Sequence, residues 1–528
     1  MRVLVPVGVV AVGALLVGCR PPAAPAERGI IVATGADING VNELVPSSRF
    51  SQEIRARLFH RLLRESPNAT SGRPGFEPGL ARSWSFSEDH SSLTFELRDD
   101  VRWSDGEPVT AEDVRWTWQA WTNPEVAFGS AFIKERILDV VAETPTRVRM
   151  DFDAPYRTQL FDANEGFILP RRQWQRIPFT QWREDLRAFE RDLVVSGPFR
   201  LERWAPQQEI VLTPNPTSAI QPQLDRVTFR VMPDQSGHVR ALRAGEVDVV
   251  LFVPPAEAAA LESDPNFTLH AFPANQYTYI GWNLERPQFA DAATRSALTL
   301  AIDRNALVET LWFGRARVGL GPIPAESWAH HPSLAPHPYD PVAAQAALAA
   351  AGWADSNGDG TLDRNGVELA FELLTNTGNA VRRDAATMIQ AQLAAVGVRA
   401  TPREIELNAL IALNESGDFD AAIGAWGIDT SLDLRYAFHS DEIAEGSNFV
   451  RYRNPEVDAA LDELRNSQDD TRTLALLHQL QAMLHQDQPY TFLWEPQTLM
   501  ATRSTITGVE PTALGALSNL EEWRVEAP

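Results

Sequence analysis

The chain has 528 residues, 44% hydrophobic and 22% charged, enough for two to four ordinary domains with proper cores. Its 70 acidic residues outnumber 47 basic ones for a net charge of −23, which argues against nucleic acid and against a polybasic membrane-surface role. Lys134, in FIKER, is the one lysine among the basic residues; it has no Gly-rich loop or partner Ser, so P-loop hydrolysis and Ser/Lys acyl transfer are excluded.

Met1 and Arg2 precede an almost unbroken apolar run, Val3 to Val17. It is short for a permanent membrane span and has the length of a signal-peptide core. The run ends Leu16-Val17-Gly18-Cys19, which resembles the bacterial lipobox. Residues 1–18 are therefore expected to be a lipoprotein signal peptide, and Cys19 the lipidated first residue of the mature chain. Cys19 is also the only cysteine, so an intrachain disulfide is impossible. Residues 19–28, rich in Pro and Ala and without hydrophobic periodicity, read as a tether. No later segment is apolar for long enough to span a bilayer, so the rest of the chain is expected to be water-soluble.

Short strands and helices then alternate, punctuated by Pro and Gly. Partial period-2 alternation predicts strands at LTFELR (93–98), RVRMDF (147–152), VTFRVM (227–232), LAFELLT (369–375) and FDAAIGAW (419–426). VRWSDGEPVTAEDVRWTWQAW (101–121) predicts a strand, an Asp105-Gly106 turn and a helix capped by Thr110, with Asp113 completing a capping-box variant. Asp340-Pro341 opens a helix that Gly352 stops, Asn454-Pro455 opens another, and a third amphipathic helix covers roughly 470–486. No internal repeat is present. This mixture over so long a chain predicts an α/β protein of more than one lobe.

Eight segments carry a resemblance: LFHRLLRESP (58–67), PGLARSWSFSEDHSSLTFELRDDVRWSDGEPVTAEDVRWTW (78–118), SGPFRLERW (196–204), LDRVTFRVMPDQSGHVRALRAGEVDVV (224–250), YIGWNLERPQFADAATRSALTLAIDRNALVETLWFGRA (279–316), GPIPAESW (321–328), PYDPVAAQAALAAAGW (338–353) and RNPEVDAALDEL (453–464). In this order they resemble the family-5 extracellular solute-binding proteins, the peptide- and nickel-type receptors of ABC importers. The resemblance implies a two-lobed periplasmic-binding-protein fold of type II with an extra subdomain on the first lobe. Lobe I would combine 29–58, 196–272 and 491–528; the added subdomain would be 59–195 and lobe II 273–490. It further implies two crossing strands, a ligand enclosed by two-state closure, docking of the closed form on a permease, and no bond made or broken.

Within that resemblance GAWGIDTSLDL (424–434) lies nearest to ligand chemistry. In peptide-binding relatives an acidic residue soon after a Trp pairs with the ligand's α-ammonium, and Asp429, three after Trp426, matches it. A shielded carboxylate makes a charge-assisted hydrogen bond to such a group. Thr430-Ser431-Leu432-Asp433 replaces the Asp-Pro steps usual in the family, a departure that bears on peptide specificity. The alternative for Asp429 is a turn cap facing water. Trp426 either lines the cleft or ends an inward-facing strand. Asn283 either bonds ligand backbone or holds the first crossing strand, while Tyr277, Trp282 and Trp494 are candidates for aromatic cleft surface.

DSNGDGTLDRNG (355–366) resembles the first half of an EF-hand, with Asp355, Asn357, Asp359 and Asp363 as oxygen donors. Its twelfth position is Gly366, so the closing Glu is missing; structural Ca²⁺ and a solvated turn both stay open. No other cofactor is expected. His330, His331 and His337 occupy a Pro-rich loop without a defined transition-metal spacing.

The expectation is a monomeric, lipid-anchored, extracytoplasmic capture protein of an ABC importer. An oligopeptide is the first candidate ligand; a nickel chelate, an oligosaccharide or another small solute would suit the same architecture. The rivals are a lipid-anchored hydrolase and a receptor that signals without importing. No GxSxG, HExxH or catalytic Cys supports the hydrolase, although carboxylate pairs among 70 acidic residues leave it open.

Overall fold

The computed structural model describes residues 28–44, 48–66, 75–184, 186–444 and 446–526. The expected signal peptide (1–18), Cys19 and all of the expected tether except Arg28 lie outside the described residues. Among the described residues no helix is long and apolar enough to cross a membrane.

Where one face of a strand meets a core, local alternation sets the structure. Ser92–Leu97 and Arg147–Phe152 bury every second residue and pair antiparallel, Phe95 opposite Val148. With Ala81–Phe86 and Ile137–Thr144 they form a four-stranded sheet, against which helix Ala111–Thr122 packs. Asp113 fixes the start of that helix: its Oδ2 accepts the Thr110 N–H at 2.8 Å and the Thr110 hydroxyl at 2.9 Å. In the turn before it Gly106 takes φ +90°, a conformation glycine adopts without strain.

A second sheet centres on Gly29–Thr34, which runs parallel to Arg226–Val231 on one side and Val249–Val250 on the other. Glu209–Pro214 and Phe199–Ala205 extend it antiparallel. This first lobe and the four-stranded subdomain share one apolar core, reaching from Ile30 and Phe229 to Phe95, Trp121 and Trp174.

In the second lobe Ala370–Asn376 lies parallel to Arg399–Ile405 and to Ala421–Gly427. Helix Ala380–Ala394 makes the first of these crossovers. Ala421–Gly427 pairs antiparallel with Gln276–Trp282. One apolar cluster gathers around Trp282, Phe371 and Leu393, and another around Tyr277, Leu480 and Tyr490.

A single strand of 14 residues, Tyr490–Arg503, belongs to both lobes. Its start pairs with Gln276–Trp282, Gly281 opposite Tyr490, and its end with Phe267–Pro273, Pro273 opposite Gln497. Between the two pairings the Ala274 N–H reaches the Pro496 carbonyl at 3.2 Å, and Asn275 takes φ +51°, a region asparagine tolerates better than most residues. The lobes are thus joined by two adjacent strands.

Candidate functional site

Strand Ala421–Gly427 ends at this junction. Gly427 lies opposite Gln276, and the Ile428 N–H bonds the Asn275 carbonyl at 2.8 Å. The loop 428–434 therefore leaves the sheet between the lobes, with Asp429 near its head. Asp429 Oδ1 accepts the Ser431 N–H at 2.9 Å and the Ser431 hydroxyl as well, an Asx turn that orients the carboxylate. Leu432 is buried at φ +51° and anchors the loop. Asp429 is indeed a turn cap, and its side chain is also open to solvent.

The facing wall comes from the subdomain. Thr430 Oγ1 donates to Glu65 Oε2 at 2.8 Å, and Arg157 Nη1 donates to the Ser431 carbonyl at 2.6 Å. The Arg157 N–H also bonds the Arg465 carbonyl at 2.9 Å. Behind Glu65, Arg61 lies 3.6 Å from it and 3.1 Å from Glu165. Burial within this crevice pushes the Asp429 carboxyl up from its ordinary value; the Ser431 bonds oppose that, and the Asp433 and Glu165 charges add to it. Its exposed surface and its partial desolvation describe one situation, a carboxylate inside a crevice that water still reaches. The accessible surface decides its chemistry: a cation can approach it, and among the described residues no Arg or Lys forms an ion pair with it.

Trp426 is half-buried. It is stacked between Tyr279 at 6.4 Å and Phe449 at 5.7 Å, and its indole N–H donates to Tyr490 Oη at 3.2 Å. It therefore braces the strand that carries Asp429.

The structure moves the other four candidates from cleft to interior: Tyr277, Trp282, Trp494 and Asn283 are each at most 1% exposed. The Trp282 indole N–H donates to Thr491 Oγ1 at 3.1 Å. Asn283 Nδ2 donates to the Gly417 and Phe419 carbonyls at 3.0 and 2.8 Å, tying the crossing strand to the turn before Ala421. The physical reason is position within the sheet. Gln276–Trp282 is central with apolar layers on both faces, so it is buried continuously from Tyr277 onward and alternation cannot separate core from cleft. Glu65, Thr430 and Arg157 escape sequence reasoning because their contacts join distant segments; Thr430 alone had a local clue, being next to Asp429.

The profile described as "Bacterial extracellular solute-binding proteins, family 5 Middle" matches residues 75–441. The chain belongs to this family. The oligopeptide-binding protein AppA of Bacillus subtilis is 30% identical over 514 residues, covering 94% of this chain and 92% of the relative. The solved structure of Bacillus subtilis AppA in complex with a nonapeptide matches with a TM-score of 0.79 at 28% identity, over 95% of this chain and 100% of that one. NikZ from Campylobacter jejuni, solved with Ni(L-His), also gives 0.79, at 23% identity and over 94% and 99% of the two chains; at that identity it speaks for the fold alone. The fold is the two-lobed one of the family.

In this solute-binding protein the 355–366 loop turns its oxygens onto its own donors. Asp355 Oδ1 accepts the Gly358 and Asp359 N–H groups at 2.7 and 3.1 Å, and its Oδ2 accepts the Gly360 N–H at 3.0 Å. Asp363 Oδ2 accepts the Ser356 N–H and hydroxyl at 3.0 and 2.6 Å. Asn357 Nδ2 donates to Asp359 Oδ2 at 3.0 Å. These oxygens are occupied by the loop's own donors, and Gly366 offers no closing carboxylate, so the loop as it stands does not fit a Ca²⁺ cage. Among the described residues no group of three or more His, Cys, Asp or Glu is arranged to hold a metal. His331 and His337 instead face His478 and His485, with ring centroids 4.8 and 4.1 Å apart. Burial, with His337 adding to it, pushes His485 down to about 4.

Proposed function

We propose that this protein captures an oligopeptide outside the cytoplasm, holds its α-ammonium on Asp429, and delivers it in the closed state to the permease of an ABC importer. The observation that carries this reading is Asp429 itself: a solvent-accessible carboxylate without an ion-pair partner among the described residues, on a loop contacted by the subdomain. The 30% identity to an oligopeptide-binding relative supports the ligand class. Main-chain hydrogen bonds supply affinity in such a site while side chains vary. In this reading closure hinges at Ala274–Asn275 and Pro496, between lobe I (29–58, 196–272 and, of the expected 491–528, the part from Pro496 on) with its subdomain (59–195) and lobe II (273–490 together with 491–495, which pair with second-lobe strands). The chain works as a monomer anchored by lipid on Cys19, needs no metal, and catalyses no reaction.

The test is mass spectrometry of ligand released by denaturing a tether-free chain purified from cells without refolding. A ladder of short peptides is expected. A single non-peptide species would keep the family and discard the ammonium pairing.

A further inference from the structure

Glu43 has no part in the capture site described so far. It lies in GVNELVP where the first lobe meets the subdomain, and it is only 9% exposed. Its Oε1 accepts the Phe167 N–H at 2.6 Å; Oε2 has no hydrogen-bond partner among the described residues. The residue borders a cavity of about 370 Å³, within the range that takes small ligands.

Trp121, Phe128 and Phe167 give this cavity apolar walls, and Glu43, Arg61 and Glu165 give it a polar side. Trp121 and Phe128 meet edge to face at 4.8 Å, and the Arg61 guanidinium lies over the Phe167 ring at 4.9 Å. The arginines of the wall already hold hydrogen-bond partners. Arg61 is bound between Glu165 and Glu65. Arg183, at the rim, donates to the Val126 carbonyl at 2.9 Å and to that of Ala127. Arg55 is the strongest charge acting on Glu43, and its own Nη1 donates to the Gly40 carbonyl at 3.3 Å. The guanidinium groups around the space already bond carboxylates or backbone carbonyls, and burial disfavours the charged form of Glu43, so the space suits an uncharged group. Burial pushes Glu43 up to about 7 against the pull of Arg55 and Arg61, so near neutrality its carboxyl can accept a hydrogen bond or donate one.

The cavity is linked to the Asp429 loop. Arg61 and Glu165 line it, Glu65 joins Arg61 to the Thr430 hydroxyl, and the Glu165 charge is felt at Asp429. The residue next to Asp429 thus contacts that polar wall through Glu65.

We propose that the cavity receives an uncharged aromatic side chain with a hydrogen-bonding tip, a phenol or an indole, carried near the ammonium end of the ligand and met by Glu43. This inference rests on the peptide reading of Asp429. It makes the junction of first lobe and subdomain a specificity pocket, with aromatic walls selecting the ring and a single carboxyl selecting the tip.

Calorimetric titration of the tether-free chain with tripeptides tests it. The set varies Ala, Phe, Tyr, Trp and Lys at the first or second position, each with a free and an acetylated amino terminus. Tyr and Trp peptides are expected to bind about ten- to a hundredfold tighter than Ala peptides, the scale for burying one aromatic side chain. Phe should fall between them. Glu43→Met should remove the margin of Tyr over Phe. Gly129→Trp should remove the margin of Tyr over Ala by filling the space; Gly129 lines the cavity, and a Cβ added there meets nothing within 4 Å. Free-amine peptides that bind without any aromatic margin would overturn the pocket and leave the capture reading standing, as would Lys peptides that bind tightest. A Tyr margin that survives Gly129→Trp would also overturn it. If no free-amine peptide binds, both readings fall together.

Discussion

Replacing Asp429 by asparagine removes a charge and little else. Asparagine keeps an oxygen for the Ser431 N–H and hydroxyl, so the Asx turn and the buried Leu432 anchor are retained. What disappears is the negative charge that faces the crevice. A hydrogen bond to a charged partner contributes about 1.5–3 kcal/mol. Because Asp429 is exposed, solvent screening selects the lower end, a loss of about tenfold in Kd. The assay is a calorimetric cycle of parent and variant against one peptide with a free and with an acetylated amino terminus. Acetylation should weaken the parent by about that factor and leave the variant unaffected. The pH dependence has a definite sign. Ammonium binding needs the ionised carboxylate, and burial raises the pKa of Asp429. Affinity should therefore fall as pH drops through that raised value, earlier than for an ordinary carboxylate, and the asparagine variant should lack this limb. Equal acetylation penalties in parent and variant would refute the reasoning and leave Asp429 as a turn cap alone.

Thr430→Val removes the hydroxyl that donates to Glu65; it should weaken every peptide by a similar factor, about three- to tenfold for one hydrogen bond, and sequence-dependent losses in calorimetry would contradict that. Glu495, buried beside Pro496, accepts the Ala325 N–H at 3.0 Å, and burial pushes it up to about 7. The folded state thus holds this proton more tightly than the unfolded chain. The resulting stability is complete below the unfolded value and is lost as pH rises through about 7. Thermal melts should show Glu495→Gln gaining on the parent across that window; a gap that ignores pH would count against it. Cys19→Ser should move the protein from the membrane fraction to the soluble one with its fold intact, and continued membrane attachment would end the lipoprotein expectation. Adding Ca²⁺ or a chelator should leave the melting temperature unchanged, whereas a rise with Ca²⁺ would show an ion bound in the folded state.

What could be read from the sequence follows the range of the interaction concerned. Arg147–Phe152 was predicted to the residue, because one face meets a core and the other does not. The helix Pro341–Ala350 announced itself through Asp340, whose carboxylate accepts the Ala343 N–H at 2.8 Å, and the Asp113 box is equally local. Tyr277, Trp282 and Trp494 were misread because aromatic residues on a crossing strand look alike whether ligand or protein covers them. The cover for Tyr277 and Trp282 arrives with Tyr490–Arg503, over 200 residues later in the chain. Glu43 had a partial signal, a lone acid between Val41 and Leu44. Its partner Phe167, 124 positions away, had none.

The shared core gives these observations a mechanical order. The first-lobe sheet and the four-stranded subdomain are packed through one continuous apolar cluster, whereas the second lobe has its own clusters and is joined through the crossing strands. Closure in the proposed function is therefore a motion of the second lobe against a composite first body. The Glu43 cavity is walled by residues of that first body, so it persists in the open state and can sample a side chain before closure. Asp429 belongs to the second lobe, and its contacts with the first body run through Thr430, Ser431 and Arg157. A ligand that fills the cavity and carries a free ammonium touches both bodies only when they are closed, and that difference in contact is what can shift the equilibrium toward the closed state. A peptide without the aromatic side chain keeps the ammonium and main-chain contacts and loses the cavity's share of that shift.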